Sequence, residues 1–294
     1  SYVRSVCDAA NNEVSEWAGP FNFVTECEAF TTFPYTEDFS STSTTESCWT
    51  VVDNNEDNDA WNLDYTSNPF TGDEVAMLNT DFNSGDNDDY LISPTITLTG
   101  NEQMRFFQRV QSSGEPNDFK VTLSTTGTDV ADFTTTLLPL ASYDNTDYEE
   151  IIVDLSGFTG DVNVAFHVPN GGLDGWRLYI DNVVFEEIPA CSKPLNLEVS
   201  DVTDTSADLS WDEELSSSAS DGYQWLVMPS GDAPDPFNAV EAGSVGNDMF
   251  IANVENLTPA TDYDAYVRSV CDAESSDFSE WTSALNISTT PTND

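Results

Sequence analysis

The octapeptide Tyr-Val-Arg-Ser-Val-Cys-Asp-Ala occurs twice in this chain of 294 residues, at residues 2–9 and again at residues 266–273. The copies lie 264 residues apart, and the correspondence extends to Ser-Glu-Trp at residues 15–17 and 279–281. Self-similarity at a fixed spacing marks a repeat architecture, in which one unit recurs along the chain. The expectation is one period of a longer alternating array. Residues 1–26 are then the end of one copy of a module that appears whole later in the chain. Arrays of this kind usually bind or extend rather than catalyse.

The charge limits what such an array can bind. There are 54 acidic residues against 7 basic ones, a net charge of −47. Nucleic acid is excluded as a partner, because phosphate binding needs clustered Lys and Arg. Anionic membrane surfaces are disfavoured for the same reason, and no segment is apolar enough to insert into a bilayer. Two readings of the acids remain, and they are compatible. One is a solvated surface that keeps a secreted protein soluble in salt water; the other is that some carboxylates hold divalent cations. With 17 Phe, 10 Tyr and 7 Trp, the chain has enough apolar mass for real cores, and its length suggests two domains.

Cysteine usage fits an oxidising compartment. Of the five, at 7, 27, 48, 191 and 271, Cys271 is the repeat equivalent of Cys7. One period therefore carries an even number, which suits disulfides. Cys27 and Cys48 flank the first strand of one segment and are the expected pair. The partners of Cys7, Cys191 and Cys271 stay open. The repeat is imperfect, since Pro291 stands where Cys27 would recur.

Helical periodicity is almost absent. Short runs of Val, Ile, Thr, Phe and Tyr, such as residues 119–124, 151–155, 163–168 and 178–185, alternate with Gly, Asn, Asp, Ser and Pro clusters. That is the pattern of sandwiches and barrels, so the chain is expected to be all-β.

A boundary falls at Ile188-Pro189-Ala190. Beyond it come the strand-like runs at residues 194–197, 207–211 and 223–227, with Trp211 facing inward. Leu-Thr-Pro-Ala-Thr-Asp-Tyr follows at residues 257–263, a run similar to the tyrosine corner of sandwich domains. With the Trp, these features resemble a fibronectin type III module over residues 190–290, leaving 291–294 as linker. Residues 1–26 match only the last two strands of that pattern.

The middle segment, residues 27–189, carries Phe-Pro-Tyr-Thr-Glu-Asp-Phe at 33–39 and an acidic run after Cys48-Trp49. Asn-Asp-Asp-Tyr-Leu-Ile-Ser-Pro follows at 87–94, and Trp-Arg-Leu-Tyr-Ile-Asp-Asn-Val at 176–183. In that order the motifs resemble the cleaved-adhesin domain, a relative of MAM-type jelly rolls found in large surface proteins of Bacteroidota. The resemblance implies a two-sheet jelly roll, structural calcium, and a role in adhesion or carbohydrate binding at the cell surface. It also implies export by the type IX system.

Asp53, Asn55, Asp57 and Asp59 stand at alternate positions of one loop, and Asp64 stands where a twelve-residue loop would place its closing ligand. Calcium takes six to eight oxygen ligands, and carboxylates at alternate positions of a tight loop can all turn inward. Asn58 takes the place of the usual turn glycine, being tolerant of the left-handed region. No helices flank the loop, so it resembles the adhesin family's Asp-rich loop rather than an EF-hand; that family has Gly where Glu56 stands here. The alternative is an acidic surface turn. A second constellation is Asp38 with Asp181 and Glu37, which first and last jelly-roll strands would bring side by side. Its alternative is an edge carboxylate bonded to backbone amides. The acidic runs at 81–89, 144–150 and 232–235 read as solvated loops, with Asp86, Asp88 and Asp89 as supplementary ligands.

Catalysis has little to work with. His167, the single histidine, lies in an alternating strand and is expected to be hydrogen-bonded there. No nucleophile elbow, His-Glu-x-x-His pair or phosphate loop occurs, so no enzymatic function is expected. Trp61 and Trp176, with Tyr65 and Tyr90, are candidates for stacking on sugar rings, the alternative being core packing. Asn256 and Asn286 begin sequons, and Thr205 lies in an Asp-Thr-Ser run like sites O-glycosylated in Bacteroidota. The composite expectation is a calcium-stabilised extracellular adhesin segment whose partners are glycans, surface proteins or neighbouring copies of itself. The competing readings are a spacer or filament subunit without a ligand, and a carbohydrate-binding appendage of a secreted polysaccharide-degrading enzyme.

Overall fold

The computed structural model describes residues 2–8, 10–11, 13–20, 27–80, 84–216, 218–274 and 276–292. Residues 21–26 of the expected module end at 1–26, Asp81 of the acidic run at 81–89, and the last two residues of the expected linker lie outside these. Among the described residues the regular structure is β throughout, apart from two short 3-10 turns, Glu46–Cys48 and Val130–Asp132.

The chain opens with a hairpin of β1 (Val6–Asp8) and β2 (Glu13–Val14). The jelly roll follows as β3 (Tyr35–Glu37), β4 (Thr50–Asp53), β5 (Asn62–Tyr65), β6 (Val75–Asn79), β7 (Asp89–Ile92) and β8 (Ile96–Leu98), then β9 (Glu102–Val110), β10 (Asn117–Ser124), β11 (Thr135–Tyr143), β12 (Glu149–Asp154), β13 (Gly160–Val168) and β14 (Arg177–Glu187). One sheet has the order β11-β10-β13-β7-β4, with β8 also on β13. The other has the order β12-β9-β14-β6-β5, with β3 also on β14.

Alternation decides the layering. Along β9, Met104, Phe106 and Val110 enter the core while Arg105, Phe107 and Arg109 stand on the opposite face. Phe106 meets Phe166 edge-on at 4.8 Å between ring centroids, and Phe119 at 6.2 Å. Truncating such a fully buried ring to Ala costs about 3–5 kcal/mol. The Cys27–Cys48 disulfide and a short parallel bridge between Phe30 and Ile96 tie the entering segment to this core.

The second sandwich comprises β15 (Leu195–Ser200), β16 (Ala207–Asp212), β17 (Tyr223–Pro229), β18 (Glu241–Val245), β19 (Ile251–Val254), β20 (Asp262–Asp272), β21 (Asp277–Phe278) and β22 (Leu285–Ser288). Its sheets are β15-β16-β19 and β18-β17-β20-β21, with β22 also on β20. Trp211 is buried against Tyr223. The Tyr263 hydroxyl accepts the Thr258 amide at 2.9 Å, which closes the tyrosine corner. Cys191 bridges to Cys271, pinning the start of this sandwich to the end of β20; Cys7 is free and exposed.

The leading hairpin reproduces the end of this sandwich. Val6 pairs with Val14 and Asp8 with Glu13, as Val270 pairs with Phe278 and Asp272 with Asp277. Arg4 lies 4.5 Å from the Trp17 ring centroid, and Arg268 lies 4.4 Å from that of Trp281. Burial differs sharply. Tyr2, Val3 and Val6 are 58, 65 and 63% exposed, whereas Tyr266, Val267 and Val270 are 6, 0 and 4% exposed.

Where the two sandwiches meet, Glu150 on β12 binds Lys193 and lies 3.7 Å from Arg105. The Ile188 amide, directly after β14, donates to the Asn101 carbonyl at 2.9 Å and carries the pairing of β14 with β9 to the edge of the jelly roll.

Candidate functional site

Pairing of β4 with β7 sets Asp53 directly opposite Asp89, two residues beyond the pair Val51 and Leu91. Residues two apart on a strand share a face, and Leu91 is fully buried while Val51 packs on the core. Both carboxylates therefore lie on the inward side, at the end of the sandwich. Like charges directly opposite across strands are destabilising.

The two acids are solvated differently. Asp53 accepts the amides of Asp57 at 3.2 Å and Asn58 at 2.9 Å, folding the 54–59 loop back over the strand end. Glu56 and Asn58 hold the left-handed conformation in that loop, at φ 60° and 72°. Asp89 is fully buried, and neither of its oxygens accepts a well-formed hydrogen bond. Burial raises its pKa to about 7 against the opposing pull of the Asp88 amide, and the charges of Asp57, Asp53 and Asp88 add smaller upward contributions.

The loop is held from below. Asp88 accepts the Asn54 side-chain amide at 2.5 Å and lies 2.7 Å from His167 Nε2. His167 stacks on Tyr90 with centroids 3.8 Å apart, and burial lowers its pKa. It is a strand histidine locked to a carboxylate. Asn55 donates to Asp57 at 2.8 Å and to the Asp86 carbonyl at 2.5 Å, leaving its own side-chain oxygen buried without a donor.

The donor set suits a hard cation. Asp53, Asp57, Asp89 and the Asn55 oxygen supply only oxygens, and three of those oxygens (both of Asp89 and that of Asn55) are buried and unpartnered. Among the described residues no three His, Cys, Asp or Glu side chains already surround one point. An ion would have to draw these carboxylates together.

Asp59 and Asp64 do not join the group. Asp59 is exposed and donates its amide to Asp57. Asp64 belongs to β5 in the other sheet, where its charge acts on Glu46 and Glu74. The twelve-residue spacing fails there because the chain crosses from one sheet to the other between Asp59 and Asp64.

The Asp38, Asp181 and Glu37 constellation is assembled, with Asp38 close enough to raise the pKa of Asp181. Its oxygens are engaged by backbone. Asp181 accepts the amides of Phe70 at 2.6 Å, Thr71 at 3.1 Å and Asn182 at 2.6 Å; burial still pushes its pKa up to about 6. Glu37 accepts the Phe39 amide and the Thr45 hydroxyl, and Asp38 accepts the Ser40 amide. The geometry follows the alternative expected for these residues, carboxylates that fasten loops to strand ends.

Comparison with known proteins identifies the larger sandwich. The cleaved adhesin domain matches residues 33–184, more than half of the chain. The chain belongs to the cleaved-adhesin family. A fibronectin type III domain matches residues 192–284. Similar solved structures include the K1 cleaved adhesin domain of Lys-gingipain from Porphyromonas gingivalis, at 20% identity and a TM-score of 0.44, covering 53% of this chain and 99% of that one. The K3 domain of the same protein gives 19% identity and a TM-score of 0.43, covering 52% and 98%. The fibronectin type III domain of human contactin 1 gives 18% identity and a TM-score of 0.30, covering 35% and 81%. No curated protein matches the chain in sequence.

Within the cleaved-adhesin domain the candidate aromatic platform divides. Trp61 is 4% exposed in the core and presents no face to a ligand; strand alternation puts it inside. Tyr90 is buried under its stack with His167. Trp176 and Tyr65 are partly exposed, and Arg177 lies 5.3 and 5.5 Å from their ring centroids. In the fibronectin domain Thr205 and Asn256 are exposed, whereas the Asn286 amide already bonds the Tyr263 carbonyl.

Proposed function

We propose that the chain is part of an extracellular, calcium-stabilised surface adhesin in which cleaved-adhesin and fibronectin type III modules alternate. Asp89 carries this reading. A fully buried carboxylate that accepts no well-formed hydrogen bond and faces a second carboxylate is costly unless a cation joins the pair. Asp53, Asn55, Asp57 and Asp89 would hold calcium, which supplies the missing positive charge. Asp53 organises the loop through its two amides, and Asp88 anchors that loop to the strand of His167. At a net charge of −47, ion binding also relieves repulsion, so the loaded module is stiffer and resists proteolysis. The two disulfides suit an oxidising, extracellular setting.

The test applies the whole chain to a glycan array in calcium and again in EDTA, with calorimetry of calcium uptake alongside. Binding that disappears on chelation, and calcium uptake that is lost in Asp89→Asn, are expected. A folded chain that takes up no calcium, or a blank array, overturns the reading.

The leading hairpin favours a second reading. Its exposed Tyr2, Val3 and Val6 correspond to residues buried in the complete sandwich, which supports an alternating array acting as a spacer or filament subunit. Fibres in a native preparation, with no glycan bound, would select it.

A further inference from the structure

We propose that the outer face of the jelly-roll sheet carrying Arg109 and Arg177 binds an acidic glycan, its guanidinium groups taking a carboxylate or sulfate and its aromatic rings flanking the sugar. This rests on the adhesin reading and names the ligand class for it.

Charge sets this face apart. Of only 7 basic residues in the chain, Arg105, Arg109 and Arg177 lie on this face, and Lys193 reaches its rim. Among 54 acids, every cation should find a carboxylate. Arg105 and Lys193 do, on Glu150 and Glu186. Arg109 and Arg177 make no such ion pair among the described residues, and the Arg177 Nε–H is buried without an acceptor. Asp181, on the same face, is held by three backbone amides.

Both guanidiniums instead lie over rings, the Arg109 Nε–H donating to the Val110 carbonyl at 3.4 Å and Arg177 bonding the Tyr179 hydroxyl. Arg109 lies 5.7 Å from the Tyr148 centroid and 5.6 Å from that of Tyr179. Arg177 sits against Tyr65 and Trp176. A stacked guanidinium is oriented by its face and keeps edge donors for a planar, bidentate anion. Arg109 pairs with Tyr179 across the strands, and the Gln111 amide bonds the Arg177 carbonyl. The two arginines are thus diagonal neighbours, about 7–8 Å apart at the backbone, so one short oligosaccharide can meet both. Beside the arginines, Trp176 and Tyr65 keep part of their rings exposed, which suits the apolar face of a sugar lying across the site.

The test is calorimetry on the whole, calcium-loaded chain at about physiological ionic strength, where the field of the distant acids is screened beyond roughly 8 Å. The probes are tetragalacturonate, a sulfated galactan tetrasaccharide and cellotetraose. The first two separate carboxylate from sulfate as the anion, and the third is neutral. At least one acidic probe is expected to bind and cellotetraose to fail. Arg109→Gln and Arg177→Gln should each weaken binding about tenfold or more. Arg177→Lys, which keeps charge but not the fork, should also weaken it, and Lys120→Gln on the other sheet should not. Unaltered melting shows that the variants are folded. Equal binding of cellotetraose, arginine variants with wild-type affinity, or no acidic binding at all would overturn the proposal. So would self-association that Arg109→Gln abolishes, which would make the face an interface between copies. If acidic probes fail while other glycans bind on the array, this proposal fails and the adhesin reading stands.

Discussion

Asp53 and Asp89 face each other across adjacent antiparallel strands, both on the inward side, and only Asp53 accepts well-formed hydrogen bonds from backbone amides. That asymmetry separates a site from an acidic surface. Most of the carboxylates in this chain can repel into solvent; Asp89 cannot.

The first prediction concerns pH without calcium. A carboxyl whose pKa in the folded chain exceeds its unfolded value favours folding while protonated. For Asp89, moved from 3.8 to about 7, that contribution is complete below about pH 4 and is lost as pH rises through about 7. In EDTA the wild-type melting temperature should therefore fall more steeply over this window than that of Asp89→Asn. Parallel curves would contradict the assignment.

Glu56 occupies the left-handed region at φ 60°, where a side chain costs about 1–2 kcal/mol. Glu56→Gly should stabilise the calcium-loaded chain by about 1 kcal/mol, read by chemical denaturation. A clear loss of stability would show that the Glu56 side chain contributes to the loop.

Glu150 joins the two sandwiches, its side chain only 6% exposed between Lys193 and Arg105. Glu150→Ala should leave each sandwich folded while the connection at residues 188–192 becomes more sensitive to protease. Cleavage at the wild-type rate would show that the junction does not depend on this residue.

The hairpin makes a prediction about a free thiol. Cys7 stands at the position of Cys271, whose partner Cys191 opens the same sandwich. Joining a copy of residues 190–265 ahead of Tyr2 should complete a second sandwich. Peptide mapping should then find Cys7 bridged to the added Cys191 equivalent, with Trp17 fluorescence shifted to the blue. A thiol that stays free would contradict the equivalence.

Much of this was legible in the sequence, and the failures have physical causes. Strand alternation, the corner at Tyr263 and the repeated hairpin depend on local spacing, which a sequence displays directly. The metal ligands depend on which strands become neighbours. Spacing alone put Asp64 in the loop, but the chain changes sheet before reaching it. Asp89 reads as part of a solvated run and at most as a supplementary ligand, although its two-residue offset from Leu91 in a strand places it on the inward face. Trp61 reads as a sugar platform or as core packing, and the structure puts it in the core. The link from Cys191 to Cys271 spans 80 residues and exists because β20 ends beside the entrance to its own sandwich. Nothing in the sequence sets Arg109 and Arg177 apart from the other basic residues. Their signal is a missing partner, which appears only once the surrounding acids have been placed.

The most direct measurement is the melting temperature of the wild-type chain and of Asp89→Asn at about pH 8, above the Asp89 pKa, each in calcium and in EDTA. The account predicts opposite effects of one substitution. Asp89→Asn should melt higher than wild type in EDTA, because the buried charge is gone. It should melt lower in calcium, because the ion has lost a ligand. Wild-type melting that is the same in calcium and EDTA would contradict the calcium site and leave the buried Asp89 without an explanation.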